Sequence, residues 1–373
     1  MIRYFLQALV SLVYVEKLRS SPRPRKPYRI NSIWKFLNHE SNLLIFAGIM
    51  LILRVEPLFH RCREEEIGCE MYWMARQAAS LSRDAQVVRL LFALISLCAA
   101  NFSVFKFYYG HQSHQLKSGS ISTSNGLFIE EHFPESIRIL SAVSWLLIAA
   151  IMLHSVFTSL ANDSYRANFT AQLVLGASGI CGFAAWREKN SAICAHFALM
   201  PVYLLFGDGL TPALISFIAL SVFISRFVPK DVLPSVIALL IPFGFYYLGH
   251  SPVISSIPWH AAFVGIPGGA ALRILPALFV LFHLNFSSIS SIFMIPPCSW
   301  TVTETLVLMT IRAMFSCLAA SIHRRHLMVW KIFAPKFIFE CILTISFIFS
   351  ANLLSIYRRF IGGENEVGRE KTH

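Results

Sequence analysis

Charged residues are scarce in this chain. Only 14% of its 373 residues are Asp, Glu, Lys or Arg, whereas 55% are hydrophobic, and the mean hydropathy is +0.59. A soluble globular domain has about 25% charged residues. The composition therefore excludes a soluble globular protein and predicts a polytopic membrane protein.

Aspartate is the scarcest charged residue. The four aspartates are far apart in the sequence: Asp84, Asp163, Asp208 and Asp231. A two-metal hydrolytic site needs carboxylates and histidines clustered around ions about 4 Å apart, and dispersed aspartates do not supply that cluster. The chain also lacks a Ser/His/Asp spacing, a phosphate-binding Gly-rich loop and a Cys-x-x-Cys pair. The sequence therefore predicts no catalytic residue, no metal ligand and a chain that is inert by itself.

Basic residues outnumber acidic ones, with 32 Lys and Arg against 20 Asp and Glu, so the formal net charge is +12. The basic residues lie beside apolar runs rather than on an amphipathic soluble surface. This distribution favours membrane headgroups over nucleic acid as the partner.

Apolar runs divide most of the chain, at 3–16, 36–55, 87–108, 139–160, 170–186, 191–206, 210–227, 232–249, 271–296, 303–322 and 337–357. The first two runs are weak, and a span needs roughly 20 apolar residues, so about ten spans are expected. The predicted fold is all-α, a polytopic transmembrane helical bundle with no soluble catalytic domain. Residues 1–35 would form an N-terminal hydrophobic segment and basic cytosolic loop, residues 36–357 the membrane domain, and residues 358–373 a cytosolic tail.

The loops between spans predict an orientation. The densest basic loop, residues 17–29, is expected in the cytosol. The next loop is then lumenal, and a disulfide between its Cys62 and Cys69 is predicted there. Two N-glycosylation sequons, at Asn162 and Asn168, fall in another loop that this alternation makes lumenal.

The segment 323–340 combines cations and aromatic residues at the junction of two apolar runs. Its cations are Arg324, Arg325, Lys331 and Lys336. Paired arginines give forked contacts to phosphate oxygens, and Trp330 can anchor at headgroup depth. The alternative is an ordinary juxtamembrane charge band. Because successive loops alternate between the two sides of the membrane, this segment is placed on the lumenal side. That placement violates the positive-inside rule. Either the cations are held there to bind a ligand, or a span between 261 and 303 is miscounted.

A second polar segment, 245–269, contains His250, His260, Trp259 and several Pro and Gly residues. It is typical of a loop or re-entrant turn, which at membrane depth must line a cavity or pack against protein. Trp259 is a second expected interfacial anchor. Two histidines ten residues apart without a neighbouring carboxylate are a weak metal site, so no metal ligand is assigned.

Three strings carry a resemblance to a known family: the loop from Phe59 to Cys69, the segment 245–269 with its Trp-His-Ala-Ala-Phe-Val-Gly string, and the block 320–340. They resemble the C-terminal membrane region of the GPI ethanolamine phosphate transferases, most closely the third-mannose type (PIG-O-like). The resemblance extends over about four fifths of the chain, from roughly residue 35 to 357.

This resemblance implies an activity and partners. The intact enzyme transfers ethanolamine phosphate from phosphatidylethanolamine to the third mannose of the GPI precursor in the endoplasmic reticulum membrane, with a PIG-F-like stabilising subunit. Its zinc-dependent, alkaline-phosphatase-like lumenal domain is missing here, so the chain would be a fragment, an alternative product or an incomplete gene model. The membrane half would hold the lipid headgroups, with contacts from Arg324, Arg325, Lys331, His250 and His260 at one lumenal mouth.

Two alternatives stay open. One is a free-standing, non-catalytic lipid-binding or assembly subunit. The other is a polytopic lipid transporter or scramblase, which would require ionisable residues inside its spans. Ionisable residues inside spans are scarce in this sequence; they are His154, His196 and His283. Each is expected to be a tolerated or hydrogen-bonded core residue.

Overall fold

The computed structural model describes residues 9, 13, 44–54, 82–119, 135–187, 191–254, 257–266, 274–292, 294, 299–322 and 327–370. Within these ranges every regular element is a helix, which confirms the predicted all-α class. The α-helices are α1 Leu44–Arg54, α2 Arg83–Gly119, α3 Glu135–Ser159, α4 Ser164–Arg187, α5 Ser191–Phe227, α6 Leu233–Tyr247, α7 Ile274–Ile292, α8 Ser299–Ile322 and α9 Leu327–Glu370. A 3-10 turn lies at Trp259–Phe263.

Seven of the described helices, α2 to α5 and α7 to α9, are long and apolar enough to cross a membrane. The number is lower than the predicted ten. One reason is that the predicted spans 191–206 and 210–227 belong to a single helix, α5. Another is that α6 has only 15 residues, a length of about 22 Å against a hydrocarbon core of about 30 Å.

Helix α5 is interrupted near its middle by Gly207, whose backbone is non-helical (φ 69°, ψ 178°). A positive φ of this size costs glycine nothing, because it has no Cβ. Pro201 and Pro212 flank the break, and the Thr211 hydroxyl donates to the Gly207 carbonyl at 2.7 Å. The break falls between the two spans that the sequence predicted.

The chain divides into two compact units that interleave along the sequence. Unit A comprises residues 1–72, 216–257 and 284–373, and unit B comprises residues 73–215 and 258–283. Each unit is described by itself below. The single membrane domain predicted over 36–357 stays a prediction.

Unit B contains a buried polar cluster that joins three helices. The side-chain oxygen of Asn101 on α2 accepts hydrogen bonds from the Ser144 hydroxyl on α3 and the His196 ring on α5, both at 2.9 Å. The His154 ring contacts the Ala167 carbonyl at 2.9 Å, between α3 and α4. The prediction of hydrogen-bonded core residues is confirmed for His154 and His196. His283 is buried, as a core residue is.

Close helix packing defines the core of unit A. Gly244 on α6 lies directly against Phe217 on α5 and Ser287 on α7. One turn later, the Tyr247 hydroxyl and the Ser216 hydroxyl are 2.6 Å apart. Helix α6 is buried over most of its length and therefore carries much of this unit's core.

Candidate functional site

Several predicted site residues lie outside the described residues, namely Arg324, Arg325, Cys62 and Cys69. Lys331 and Trp330 lie in the first turns of α9, where the backbone is described and the side chains are not. The expected headgroup contacts and the expected disulfide at these positions stay predictions.

The two histidines of the segment 245–269 belong to different units. His250 of unit A is buried just after α6, with its ring centroid 5.1 Å from that of Phe245. His260 of unit B lies in the 3-10 turn, with its ring 5.8 Å from that of His283. Trp259, beside it, is 60% exposed, as an interfacial anchor requires.

The part of this segment in unit B is fixed to α4. The Gln172 side-chain amide donates to the Gly265 carbonyl at 2.8 Å, and Gly265 has a positive φ of 72°. A Cβ at that position would lie 3.3 Å from the Ala171 side chain. Beyond the end of α6, the described residues of the segment therefore form a loop that contains one 3-10 turn. At Gly265 this loop packs against protein, as predicted.

The two sequons differ in their backbone setting. Asn162 is exposed, with a φ of 50°, in the turn between α3 and α4. Asn168 lies inside α4 and is half-buried. Glycosylation at either position stays a prediction.

A charged cleft of about 200 Å³ lies within unit A, between α6, α8 and α9. Three of its lining residues are ionisable: Arg312 from α8, and Lys336 and Glu340 from α9. The remaining lining is mostly apolar and consists of Pro242, Phe245, Tyr246, Pro252, Ser316, Phe339 and Leu343. Two of the charged residues belong to the segment 323–340 that the sequence singled out.

Arg312 is fixed by a backbone carbonyl. Its Nη1 donates to the carbonyl of Ala238 on α6 at 3.2 Å. That carbonyl is available because the residue four positions later is Pro242, which has no N–H to complete the helical hydrogen bond. The sequence of α6 thus supplies an acceptor for a cation inside a span.

Glu340 is the counter-charge of Arg312, but the two side chains are not hydrogen-bonded. Arg312 Nε and Glu340 Oε1 are 3.8 Å apart, which is beyond hydrogen-bonding distance. Both side chains are largely buried, with exposed fractions of 23% and 14%. In the described part of the chain, neither Arg312 Nε nor Glu340 Oε2 has a hydrogen-bond partner. The cleft therefore contains charged atoms whose hydrogen-bonding capacity is unused.

Lys336 gives the cleft a surplus of positive charge. It lies one turn before Glu340 on α9, and its Nζ is 5.8 Å from the centroid of the Phe333 ring. Among the described residues it forms no ion pair. Two cations and one carboxylate leave one net positive charge, which suits a ligand with a single negative charge.

The sequence interpretation missed Arg312. It expected the ionisable groups inside spans to be histidines, and that expectation was wrong. Arg312 lies midway along the span Thr301–Ile322, and in unit B a second arginine, Arg89, pairs with Asp208 at 3.1 Å. Its position far from either end of the apolar run 303–322 was the signal that could have identified Arg312. Arg89 and Asp208 lie at or near the ends of predicted runs and gave no such signal.

The described part of the chain contains no group of three or more His, Cys, Asp or Glu side chains placed to hold a metal ion. The residues described here do not fit the zinc centre that the family resemblance implies for a lumenal domain, so no zinc chemistry is assigned to them.

Two curated proteins match part of the chain. The catalytic subunit of human (Homo sapiens) GPI ethanolamine phosphate transferase 3 is 32% identical over 158 residues, which cover 28% of this chain and 14% of that protein. The mouse (Mus musculus) protein of the same name is 34% identical over 154 residues. That match covers 26% of this chain and 14% of the mouse protein. Part of this chain is similar to that catalytic subunit.

The match confirms the predicted resemblance over a smaller share of the chain than the four fifths expected. The matched region spans about one seventh of the length of each curated relative. No protein-family model matches the chain. No solved structure matches it.

Proposed function

We propose that this chain is the membrane region of an ethanolamine phosphate transferase of GPI-anchor biosynthesis, and that it positions lipid substrates within the bilayer. The observation that carries the proposal is the Arg312–Lys336–Glu340 cleft, together with the partial similarity to GPI ethanolamine phosphate transferase 3. Ionisable side chains are costly inside a membrane and are retained there mainly for function.

The ligand that fits the cleft is the phosphate of a lipid headgroup. A phosphodiester carries one negative charge, and its oxygens accept hydrogen bonds from guanidinium and ammonium groups such as those of Arg312 and Lys336. The aromatic and aliphatic lining offers apolar contact to the glycerol and upper acyl chain. Glu340 has an oxygen without a hydrogen-bond partner among the described residues, and such an oxygen can accept from the ammonium of phosphatidylethanolamine.

The other proposed headgroup contacts are those predicted from the sequence: Arg324, Arg325, Lys331, His250 and His260. Three of them precede the cleft on the same segment of the chain. If alanine at all five positions, in an intact transferase, left activity and abundance unchanged, these contacts would be abandoned and the cleft would be retained as a separate site.

The reaction itself is assigned to a zinc-dependent lumenal domain of the kind that the resemblance implies. In this proposal the donor is phosphatidylethanolamine, the acceptor is the third mannose of the GPI precursor, and the membrane is that of the endoplasmic reticulum. A PIG-F-like subunit is the proposed stabilising partner. The chain's own residues hold lipid, and the proposal gives them no role in bond making.

Photolabelling tests the proposal on the purified chain. Phosphatidylethanolamine with a diazirine on its acyl chain is placed in phosphatidylcholine nanodiscs that contain the protein, and the labelled peptides are quantified. Labelling of α8 and α9 should fall several-fold in Arg312→Ala and Lys336→Ala. The matched control is Lys106→Ala, because Lys106 is also beside an aromatic ring, that of Phe102 at 5.6 Å, but lies in unit B.

Equal labelling of all variants would refute the headgroup site. A cellular measurement tests the pathway assignment separately. Inactivation of the gene in its own cells should cause GPI precursors without ethanolamine phosphate on the third mannose to accumulate. An unchanged set of lipid-linked precursors would refute that assignment.

A lipid transporter is the second candidate function, and one observation favours it. In unit B the Arg89–Asp208 ion pair lies beside the break in α5 at Gly207, and broken helices with ionisable residues are typical of transporter sites. Liposomes containing the protein and a fluorescent phosphatidylethanolamine distinguish the two functions. Dithionite quenching of the inner-leaflet probe would favour transport, whereas protection of half of the probe would favour the transferase region.

A further inference from the structure

We propose that Pro242 is a positioning residue of the headgroup cleft, because it exposes the Ala238 carbonyl that holds the Arg312 guanidinium in place. This inference rests on the proposed function for its effect on lipid binding. The positioning itself is argued from the helix geometry alone.

Pro242 interrupts the backbone hydrogen bonding of α6. In an α-helix each N–H donates to the carbonyl four residues earlier, so residue 242 would normally pair with Ala238. Proline has no N–H and cannot do so. Ala238 is 6% exposed, and a carbonyl left without a donor in such a place costs free energy. The proline therefore creates a buried acceptor that requires a donor from elsewhere in the protein.

Arg312 supplies that donor. A guanidinium presents five N–H groups and remains charged inside a protein. Among the described residues, the Ala238 carbonyl, 3.2 Å from Nη1, is the hydrogen-bond acceptor of this side chain. Glu340 is too distant, at 3.8 Å, to fix the guanidinium by a hydrogen bond. The carbonyl, more than the carboxylate, thus sets where the guanidinium lies.

A comparison within the chain supports the specificity of this arrangement. Pro201 on α5 also removes a helical donor, from the carbonyl of Phe197. In the part of the chain that the structure describes, no side chain donates to that carbonyl, and the contact of Phe197 with a polar residue is the ring contact with His196. Pro201 is a helix-interior proline without an arginine partner, which makes Pro201→Ala a matched control.

The test uses chemical modification of arginine and retention of phospholipid, measured on the same purified full chain. Alanine at 242 restores an N–H that recaptures the Ala238 carbonyl and releases Arg312. The rate of phenylglyoxal modification at Arg312, followed by mass spectrometry, should rise several-fold in Pro242→Ala and stay at the wild-type value in Pro201→Ala. An unchanged rate in Pro242→Ala would overturn the inference, whatever the lipid measurements show.

Phospholipid retention per mole of protein then connects the position of Arg312 to binding. Retention should fall several-fold in Pro242→Ala and in Arg312→Ala, and the double variant should retain no less than Arg312→Ala alone, because both changes act through one group. A further proportional loss in the double variant would show that Pro242 acts on the fold generally and would overturn the inference. If modification accelerates in Pro242→Ala but retention is unchanged in both single variants, the positioning stands and the proposed headgroup site fails.

Discussion

Replacement of Gly244 by alanine should destabilise unit A, because at this glycine α6 packs directly against α5 and α7. A Cβ placed there would be 2.6 Å from Phe217 Cε2 and 2.7 Å from Ser287 Cβ. Both distances are shorter than real Cβ contacts. The Ser287 atom is attached directly to the backbone of α7, so side-chain rotation cannot relieve that clash.

The expected loss in the free energy of unfolding is the difference between two opposing effects. Overpacking of a well-filled core costs about 3 kcal/mol at the upper end of its usual range, and the two-sided contact places Gly244 at that end. Alanine in a helix interior recovers about 1 kcal/mol of backbone entropy relative to glycine. The expected net result is a loss of about 2 kcal/mol in the free energy of unfolding.

The assay is SDS-driven unfolding in mixed micelles, followed by circular dichroism. Gly179→Ala in α4 is the control, since nothing lies within 4 Å of a Cβ at that position, and it should be neutral or slightly stabilising. Equal stability of Gly244→Ala and wild type would refute the packing argument. A Ser287→Gly change in the Gly244→Ala background should recover part of the loss.

Three further predictions concern other parts of the molecule. Glu340→Gln removes the carboxylate of the cleft and raises the net charge of the cleft from +1 to +2. Retention of dianionic phosphatidic acid relative to phosphatidylethanolamine should therefore increase. An unchanged ratio of the two retained lipids would contradict the charge argument. Asn101→Ala leaves Ser144 and His196 without their shared hydrogen-bond acceptor and should lower the free energy of unfolding by about 1–3 kcal/mol. Asn352→Ala, at an exposed position on α9, should be nearly neutral in the same assay. Asn162→Gln should reduce a glycosidase-sensitive mobility shift on gels by one glycan if that turn faces the lumen, and persistence of the full shift would exclude the site.

Much of the fold could be predicted from the sequence, because apolar runs of about 20 residues leave few alternatives to membrane helices. The predicted runs 139–160 and 303–322 correspond closely to α3 and α8. The span count was too high because hydropathy alone does not distinguish two spans from one helix with a local break. Gly207 marks that break, but its φ of 69° is a property of the folded backbone.

The candidate site was predicted in part. The segment 323–340 was singled out for its cations, and Lys336 from that segment lines the cleft. The role of Arg312 could not be deduced, because its acceptor is a carbonyl 74 residues away in the sequence. A proline in one helix and an arginine in another carry no local sign that they belong to one site. Only the packing of α8 against α6 brings them together.

The short length of α6 has a consequence for the way the cleft is walled. Its 15 residues span about 8 Å less than the hydrocarbon core, and the described residues 248–253 that follow it are not helical. The Leu248 and His250 amides donate to carbonyls of α6, so the protein supplies the hydrogen bonds that lipid cannot. Because α6 is buried over most of its length, its short end is surrounded by protein and not by lipid. Pro252 of this non-helical chain lines the cleft, so one wall of the headgroup site can adjust to a ligand without breaking a helix.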